Sequence, residues 1–183
     1  MINRTIKALL FSDVKGFSKM TERECLAFCK VFHTGVQENV LKKYDSRIIL
    51  KNTWGDALHI VMNDLVAAGH LALDLRDWMG SHDWVADGVT APPNIRIGLH
   101  AGVVSKVADP IINNYNYIGR NTSKAARIEP ITYEGQVFVS RAYAALLAGC
   151  NDTTLSCEYV GKRVLPKSSG TVHAYLLRRI SKG

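Results

Sequence analysis

The sequence lacks the features that would place it in a membrane or outside the cell. No apolar run is long enough to cross a bilayer. The apolar run in the N-terminal stretch MINRTIKALLFSDVKGF is too short for a signal peptide. The four cysteines, at positions 25, 29, 150 and 157, form neither a CxxC pair nor a zinc-like cluster. Low-complexity tracts and internal repeats are also missing. We therefore expect a cytoplasmic protein without membrane insertion.

Long runs of one charge are absent too, although 23 Lys and Arg against 16 Asp and Glu give a formal net charge of +7. The basic residues are dispersed, with only short pairs such as KK and RR. The positive excess favours an anionic partner and does not choose among nucleotide, nucleic acid and acidic lipid. Because no basic arm is present, we expect no nucleic-acid partner.

What the sequence does contain is an ordinary globular composition and a clear periodicity. The 183 residues are 47% hydrophobic, which predicts one domain over residues 1–183. Cys25 and Cys29 lie one helical turn apart among apolar residues, which indicates core positions. The pattern predicts, in chain order, a strand over 6–14, a helix from the capping box Thr21 and Glu24 to about Tyr44, the strand pair SRIILKN and ALHIVM, a helix from Leu65 to Met79, a strand NIRIGLHAGVV, a helix GRNTSKAARIE, a strand GQVFVS, a helix RAYAALLAG, and the strands CEYVGKRVL and TVHAYLLRR.

This interleaving of strands and helices, together with a tight strand pair, predicts an α+β fold. We expect a mostly antiparallel, ferredoxin-like sheet with helices packed on one side. Asp13 closes the first strand and Asp56 lies in the turn of the pair, so the two carboxylates would converge. Converging acids repel unless a cation joins them, and their oxygens suit Mg²⁺ or Mn²⁺. The alternative is two unrelated surface aspartates.

Five segments together resemble the class III nucleotide cyclases. FSDVKGFS resembles the first metal motif of that family and WGDALHIV the second. RIGLHAGVV and YIGRNTSKAARIE look like its later signature segments, and VLPKSSGTVHAYLL is similar to its lysine-bearing hairpin. The resemblance runs from about Ile6 to Leu177 in the family's order. It implies the class III cyclase type of the α+β fold.

The resemblance also implies a homodimer with composite active sites and a reaction. The ribose 3′-oxygen of a nucleoside triphosphate would attack the α-phosphorus, and pyrophosphate would leave. Two divalent cations, Mg²⁺ or Mn²⁺, would assist. The implied residues are Asp13, Asp56 and the backbone carbonyl of Val14 for the metal ions, Gly16 and Phe17 for the substrate, Ser123 at the position of the family's catalytic asparagine, and, facing the triphosphate, Arg127 of the partner subunit and Lys167 of the partner subunit.

Three positions depart from the purine cyclases of the family. Asn52 stands where those enzymes carry Lys or Glu, Asn116 where they carry Asp or Cys, and Ser123 where they carry Asn. Asn52 and Trp54 are two apart on a strand, so they share a face, and the indole would narrow a base pocket there. A pyrimidine has one ring fewer than a purine, and the two carboxamides can each donate and accept hydrogen bonds.

These departures resemble the stand-alone pyrimidine cyclases of bacterial antiphage signalling, the Pycsar type. The resemblance implies UTP as the favoured substrate and cyclic UMP as the product. Four alternatives remain open: a cytidylate cyclase, a purine cyclase with an unusual pocket, a degenerate domain that binds nucleotide without turnover, and a ferredoxin-like RNA-binding module. The last lacks the aromatic-rich strand motif that such modules use. Trp54 itself could instead be a core residue beneath the turn.

Overall fold

The computed structural model describes residues 4–180. Its elements are β1 (Arg4–Lys15), α1 (Glu22–Asn39), β2 (Ile48–Trp54), β3 (Ala57–Met62), α2 (Leu65–Ser81), β4 (Asn94–Asp109), β5 (Asn114–Ile118), α3 (Arg120–Ile128), β6 (Gln136–Ser140), α4 (Arg141–Ala148), β7 (Leu155–Val164) and β8 (Thr171–Arg179), with 3₁₀ turns at Phe17–Lys19, Leu41–Arg47 and Glu129–Ile131. No helix in this part of the chain is long and apolar enough to cross a lipid bilayer.

The strands form one sheet in the order β2-β3-β1-β4-β6-β8-β7, and β5 pairs with β4 beside this path. Every pairing is antiparallel except that of β4 with β6. The first four positions, β2-β3-β1-β4, are the ferredoxin-like arrangement. The predicted α+β class and the mostly antiparallel sheet are therefore confirmed.

Local signals place the first helix as expected, with a different end. Thr21 and Glu24 form the capping box: the Glu24 N–H donates to Thr21 Oγ1 (3.3 Å), and the Thr21 N–H donates to Glu24 Oε2 (2.9 Å). The helix stops at Asn39 rather than near Tyr44, because Val40 leaves the α-helical path (φ −117°, ψ −67°) and a 3₁₀ segment follows.

One face of the sheet carries the main core. Alternate residues of β1, such as Ala8 and Leu10, pack there against α1, α2 and α4, whose buried residues include Phe28, Leu71 and Tyr143. Side chains alternate between the faces of a strand, so Leu9 and Phe11 lie on the opposite face. On that face a smaller cluster contains Leu9, Leu50, Val61, Val104, Tyr117 and Ala125.

Helix α3 packs on this second face, so the expectation of helices on one side only is wrong for α3. Two glycines in β4 explain how the helix can lie so close. A Cβ on Gly98 would meet the Glu129 backbone nitrogen at 2.4 Å, and a Cβ on Gly102 would meet the Asn121 side chain at 2.4 Å. Any larger residue would push α3 away from the sheet.

Candidate active site

Polar and ionisable residues of four strands meet on the sheet face that carries α3, here called the α3 face. In the strand register Asn52 of β2 lies opposite His59 of β3, and His59 lies opposite Phe11 of β1. Two residues beyond Phe11, Asp13 lies opposite Arg96 of β4. Side chains of paired residues project to the same face, so these five positions line one continuous surface.

The two predicted metal acids lie close enough to influence each other. Asp56 occupies the β2–β3 turn, and burial together with the nearby Asp13 carboxylate raises its pKa. Backbone N–H groups of Asp56 and Val14 act in the opposite direction, as does Arg96. The Asp56 carboxylate is therefore held in a site that disfavours its charge, and the nearby Asp13 carboxylate contributes to that effect.

Arg96 balances this negative charge. Its Nη2 donates to Asp13 Oδ2 at 2.6 Å and lies 2.9 Å from Glu129 Oε1, at the end of α3. Glu129 is largely buried, and burial outweighs the adjacent guanidinium, so its pKa rises to about 7. The sequence reasoning missed both residues. The signal for Arg96 was a charged residue within the mostly apolar strand NIRIGLHAGVV.

The loop after β1 supports the turn that carries Asp56. Gly16 adopts a left-handed conformation (φ +92°), which lets the chain turn directly after β1. Phe17 then packs its ring on Phe28 of α1, with centroids 5.5 Å apart, and comes within 3.8 Å of where a Cβ of Gly55 would lie. Phe17 thus abuts the acid-bearing hairpin, and Gly16 makes the turn that brings it there.

The residues predicted to read the base occupy neighbouring strands. Trp54 is 62% exposed, so its interpretation as a core residue is wrong. Trp54 pairs with Ala57 and Asn52 with His59, which places both on the α3 face, as their spacing predicted. Asn116 lies on β5, which runs close to β2. Its Nδ2 donates to Asp109 Oδ2 at 3.3 Å.

Arg127, one of the two residues predicted to face the triphosphate, lines a separate basic depression. Its lining comprises Arg120, Ser123, Lys124, Arg127, Leu165, Ser169 and Thr171. Lys167 is exposed in the adjoining β7–β8 loop and has a left-handed backbone (φ +56°). Neither Asp13 nor Asp56 lines this depression. Successive helical residues rotate by about 100°, so Arg127 and Glu129, two residues apart, project to nearly opposite sides. Glu129 lies on the side of the acids, next to Arg96.

Residues 5–179 match the family of adenylate and guanylate cyclase catalytic domains. The chain belongs to this family. Among curated proteins, the cyclase domain is 27% identical over 208 aligned residues to a receptor-type adenylate cyclase of Trypanosoma congolense, covering 94% of this chain and 28% of that protein. It is 22% identical to the serine/threonine-protein kinase pkn2 of Myxococcus xanthus, covering 96% of this chain and 20% of that protein. The chain therefore spans less than a third of either relative.

Solved structures share the fold of the cyclase domain. The adenylyl cyclase CyaB of P. aeruginosa superposes with a TM-score of 0.82 at 20% identity, covering 100% of this chain and 97% of that one. The guanylate cyclase domain of RhGC from Catenaria anguillulae, in complex with GTP, has a TM-score of 0.80 at 18% identity. The match covers 98% of this chain and 100% of that one. A non-canonical dimeric guanylyl cyclase domain from Blastocladiella emersonii has a TM-score of 0.77 at 18% identity. The match covers 97% of this chain and 99% of that one.

Class III cyclases use divalent metal ions, and the donor set in the cyclase domain fits such ions. Among residues 4–180, no three His, Cys, Asp or Glu side chains converge as a ready-made metal cage. Asp13 and Asp56 would supply two hard carboxylates, and the Val14 carbonyl a backbone oxygen. Mg²⁺ is commonly bound in this way, by one or two carboxylates with substrate phosphates and water completing the shell.

A buried hydrogen-bond chain fixes α3 on the sheet of the cyclase domain, and sequence reasoning did not find it. His100, fully buried on β4, lies 2.9 Å from Asn121 Oδ1 through Nε2 and 2.6 Å from Ser140 Oγ through Nδ1. The Asn121 Nδ2 donates to the Val103 carbonyl (2.8 Å), so its Oδ1 faces His100 as an acceptor. His100 therefore carries its proton on Nε2 and accepts from the Ser140 hydroxyl.

Proposed function

We propose that this domain is a nucleotide cyclase that converts a pyrimidine nucleoside triphosphate, UTP in first place, to the 3′,5′-cyclic monophosphate and pyrophosphate. The observation that carries the proposal is the α3 face itself. It holds the paired acids Asp13 and Asp56 and, beside them, Asn52 and the exposed indole of Trp54. One surface thus offers a place for a polyphosphate and a place for a base.

The reaction needs positioning and charge neutralisation more than covalent chemistry by the protein. A bond forms between the ribose 3′-oxygen and the α-phosphorus, the bond to the β-phosphate oxygen breaks, and the 3′-hydroxyl proton passes to solvent. Asp13, Asp56 and the Val14 carbonyl would hold the divalent cations, which neutralise the developing charge when bound. Arg96 keeps Asp13 oriented through its 2.6 Å hydrogen bond.

We further propose that the active site is shared between two subunits. Arg127 and Ser123 line a depression separate from the acids of their own chain, and Arg127 projects away from them. A second copy of the chain would bring the depression of one subunit to the acids of the other. Arg127 of the partner subunit would then bind phosphate oxygens in a fork, and the partner's Lys167 would make a point contact.

The proposed base pocket favours a single ring. An exposed indole on the pocket face takes up volume and offers a stacking surface. Asn52 and Asn116 carry amides that both donate and accept, which suits either uracil or cytosine. Preference for UTP, and with it a role in antiphage signalling, is supported by the resemblance to the Pycsar-type cyclases.

A purine substrate is the second candidate. The observation in its favour is that the curated relative with 94% coverage of this chain is named as an adenylate cyclase. One experiment decides between the candidates: purified protein is incubated with an equimolar mixture of ATP, GTP, CTP and UTP plus Mn²⁺, and the cyclic products are identified by mass spectrometry. Cyclic UMP as the main product supports the first proposal. Mainly cyclic AMP or cyclic GMP refutes the pocket argument, and no cyclic product refutes the enzyme assignment.

A further inference from the structure

The turn that carries Asp56 is tied to α1 by a hydrogen bond. His33 Nε2 lies 2.7 Å from the Gly55 carbonyl oxygen, and Thr53 Oγ1 lies 3.4 Å from the same nitrogen. A carbonyl oxygen only accepts, so Nε2 must carry the proton. The bonded carbonyl belongs to the peptide unit whose nitrogen is that of Asp56. This contact therefore fixes the orientation of the peptide that precedes the acid.

Helix α1, which carries the donor His33, is firmly packed. Phe32, the residue before His33, is completely buried, and Val36, one turn later, is 2% exposed. The helix is therefore anchored in the main core at the turn from which His33 projects.

The hairpin tip, by contrast, is an open turn. Trp54 is largely exposed, and Gly55, which has no Cβ, adopts a left-handed conformation (φ +68°) that other residues rarely adopt. Phe17 touches the tip from the β1 side, at 3.8 Å from the Cβ position of Gly55. His33 and Phe17 thus hold the turn from two elements.

We propose that His33 is a positioning residue for the metal site: its hydrogen bond to the Gly55 carbonyl holds the β2–β3 turn so that Asp56 meets Asp13. This inference rests on the proposed function, because it takes both acids as metal ligands. Like charges repel, so a loose turn would let the Asp13 and Asp56 carboxylates move apart. The free energy needed to bring them together again on cation binding would then lower the affinity for the cation.

The test is Mn²⁺ binding to the nucleotide-free full chain, followed by the electron paramagnetic resonance signal of free Mn²⁺. A hydrogen bond of this kind corresponds to roughly a two- to twelvefold change in an equilibrium constant. We expect His33→Ala to raise the Mn²⁺ dissociation constant by that factor. His33→Gln, whose amide N–H has a similar reach, should recover most of the affinity.

His70 provides a matched control. It projects from α2, and its Nε2 makes a hydrogen bond with Thr154 Oγ1 at 2.9 Å, just before β7, the strand at the opposite edge of the sheet from β2. His70→Ala should bind Mn²⁺ as the wild type does. In turnover assays His33→Ala should need more Mn²⁺ for half-maximal rate, whereas the triphosphate KM at saturating Mn²⁺ should stay unchanged.

Three results would overturn the inference: unchanged Mn²⁺ affinity in His33→Ala, equal weakness in His33→Gln, or an equal loss in His70→Ala. If His33→Ala does not fold, His33→Asn replaces it, since its shorter amide does not reach the carbonyl. A wild-type protein that binds Mn²⁺ but cyclises no triphosphate refutes the proposed function alone, and the His33 variants are still judged by Mn²⁺ binding. A wild type that cyclises a triphosphate but binds no Mn²⁺ without nucleotide refutes the inference alone. A wild type that neither binds Mn²⁺ nor forms a cyclic product refutes both.

Discussion

Asp13→Asn and Asp56→Asn should both abolish turnover yet change the stability of the metal-free protein in opposite directions. Asp13 accepts a 2.6 Å hydrogen bond from Arg96, whereas Asp56 occupies a site where burial and Asp13 raise its pKa. Neutralising Asp13 removes a favourable ion pair. Neutralising Asp56 removes a charge that the folded state disfavours, and the new amide can still accept a hydrogen bond through its oxygen.

The magnitude for Asp13 follows from the exposure of the pair. A hydrogen bond to a charged group contributes about 1.5–3 kcal/mol. The Asp13 and Arg96 side chains are 34% and 20% exposed, so solvent screens the pair and the lower end applies. For a chain of this size, a loss of about 1.5 kcal/mol lowers Tm by about 3–6 °C. For Asp56→Asn we expect a Tm above that of the wild type.

The assay is thermal unfolding followed by circular dichroism at pH 7.5, first in EDTA and then in Mn²⁺. In EDTA the order of Tm should be Asp56→Asn, wild type, Asp13→Asn. Mn²⁺ should raise Tm of the wild type only, because a ligand of the folded state stabilises it by mass action. A drop in Tm for Asp56→Asn as large as that for Asp13→Asn would show that the two acids do not oppose each other. Normal turnover in either variant would refute the metal assignment.

Three further outcomes are expected. Mixing Asp13→Asn chains with Arg127→Ala chains should restore about a quarter of the wild-type activity. About half of randomly paired dimers are mixed, and each mixed dimer has one intact site of two. No recovery despite verified subunit exchange counts against a shared site. Trp54→Ala should raise purine turnover relative to pyrimidine turnover in the four-triphosphate mixture, and an unchanged product ratio means that the indole does not shape the pocket. Burial lowers the pKa of His59 to about 4, so the folded state binds fewer protons than the unfolded state and stability should fall as pH drops from 6.5 to 4. In urea titrations, the free energy of unfolding of His59→Phe should fall by up to about 3 kcal/mol less than that of the wild type over this pH range. Parallel curves of unfolding free energy against pH for the two proteins would contradict the burial argument.

Periodicity and caps predicted most of the fold because those signals are local. The capping box at Thr21, the alternation in β1 and the turn before Asp56 are each contained within a few residues. Strand β5 was missed because NNYNYI is polar and rich in asparagine, which indicates a turn. It forms because β4 extends far enough to pair with it, as Val107 does with Asn116.

The candidate site was predictable where a motif names the residue and not where tertiary structure assembles it. Asp13 and Asp56 stand in recognisable segments, and their convergence follows from the order of the strands. Arg96, Glu129 and His33 come from three different elements, and no local pattern connects them. Helix α3 can approach β4 closely because Gly98 and Gly102 have no side chain. The sequence does not show which glycines serve such a contact.

The residues proposed to choose the base lie at the edge of the sheet, and the acid Asp13 lies on a central strand. Substitutions at exposed positions such as Trp54 usually change stability by less than about 0.5 kcal/mol. In contrast, Arg96 and Glu129 are tied into the close packing of α3 on β4. A change of nucleobase preference through the proposed base-choosing positions should therefore carry little risk to folding, whereas substitutions beside the acids should disturb the packing of α3 on the sheet.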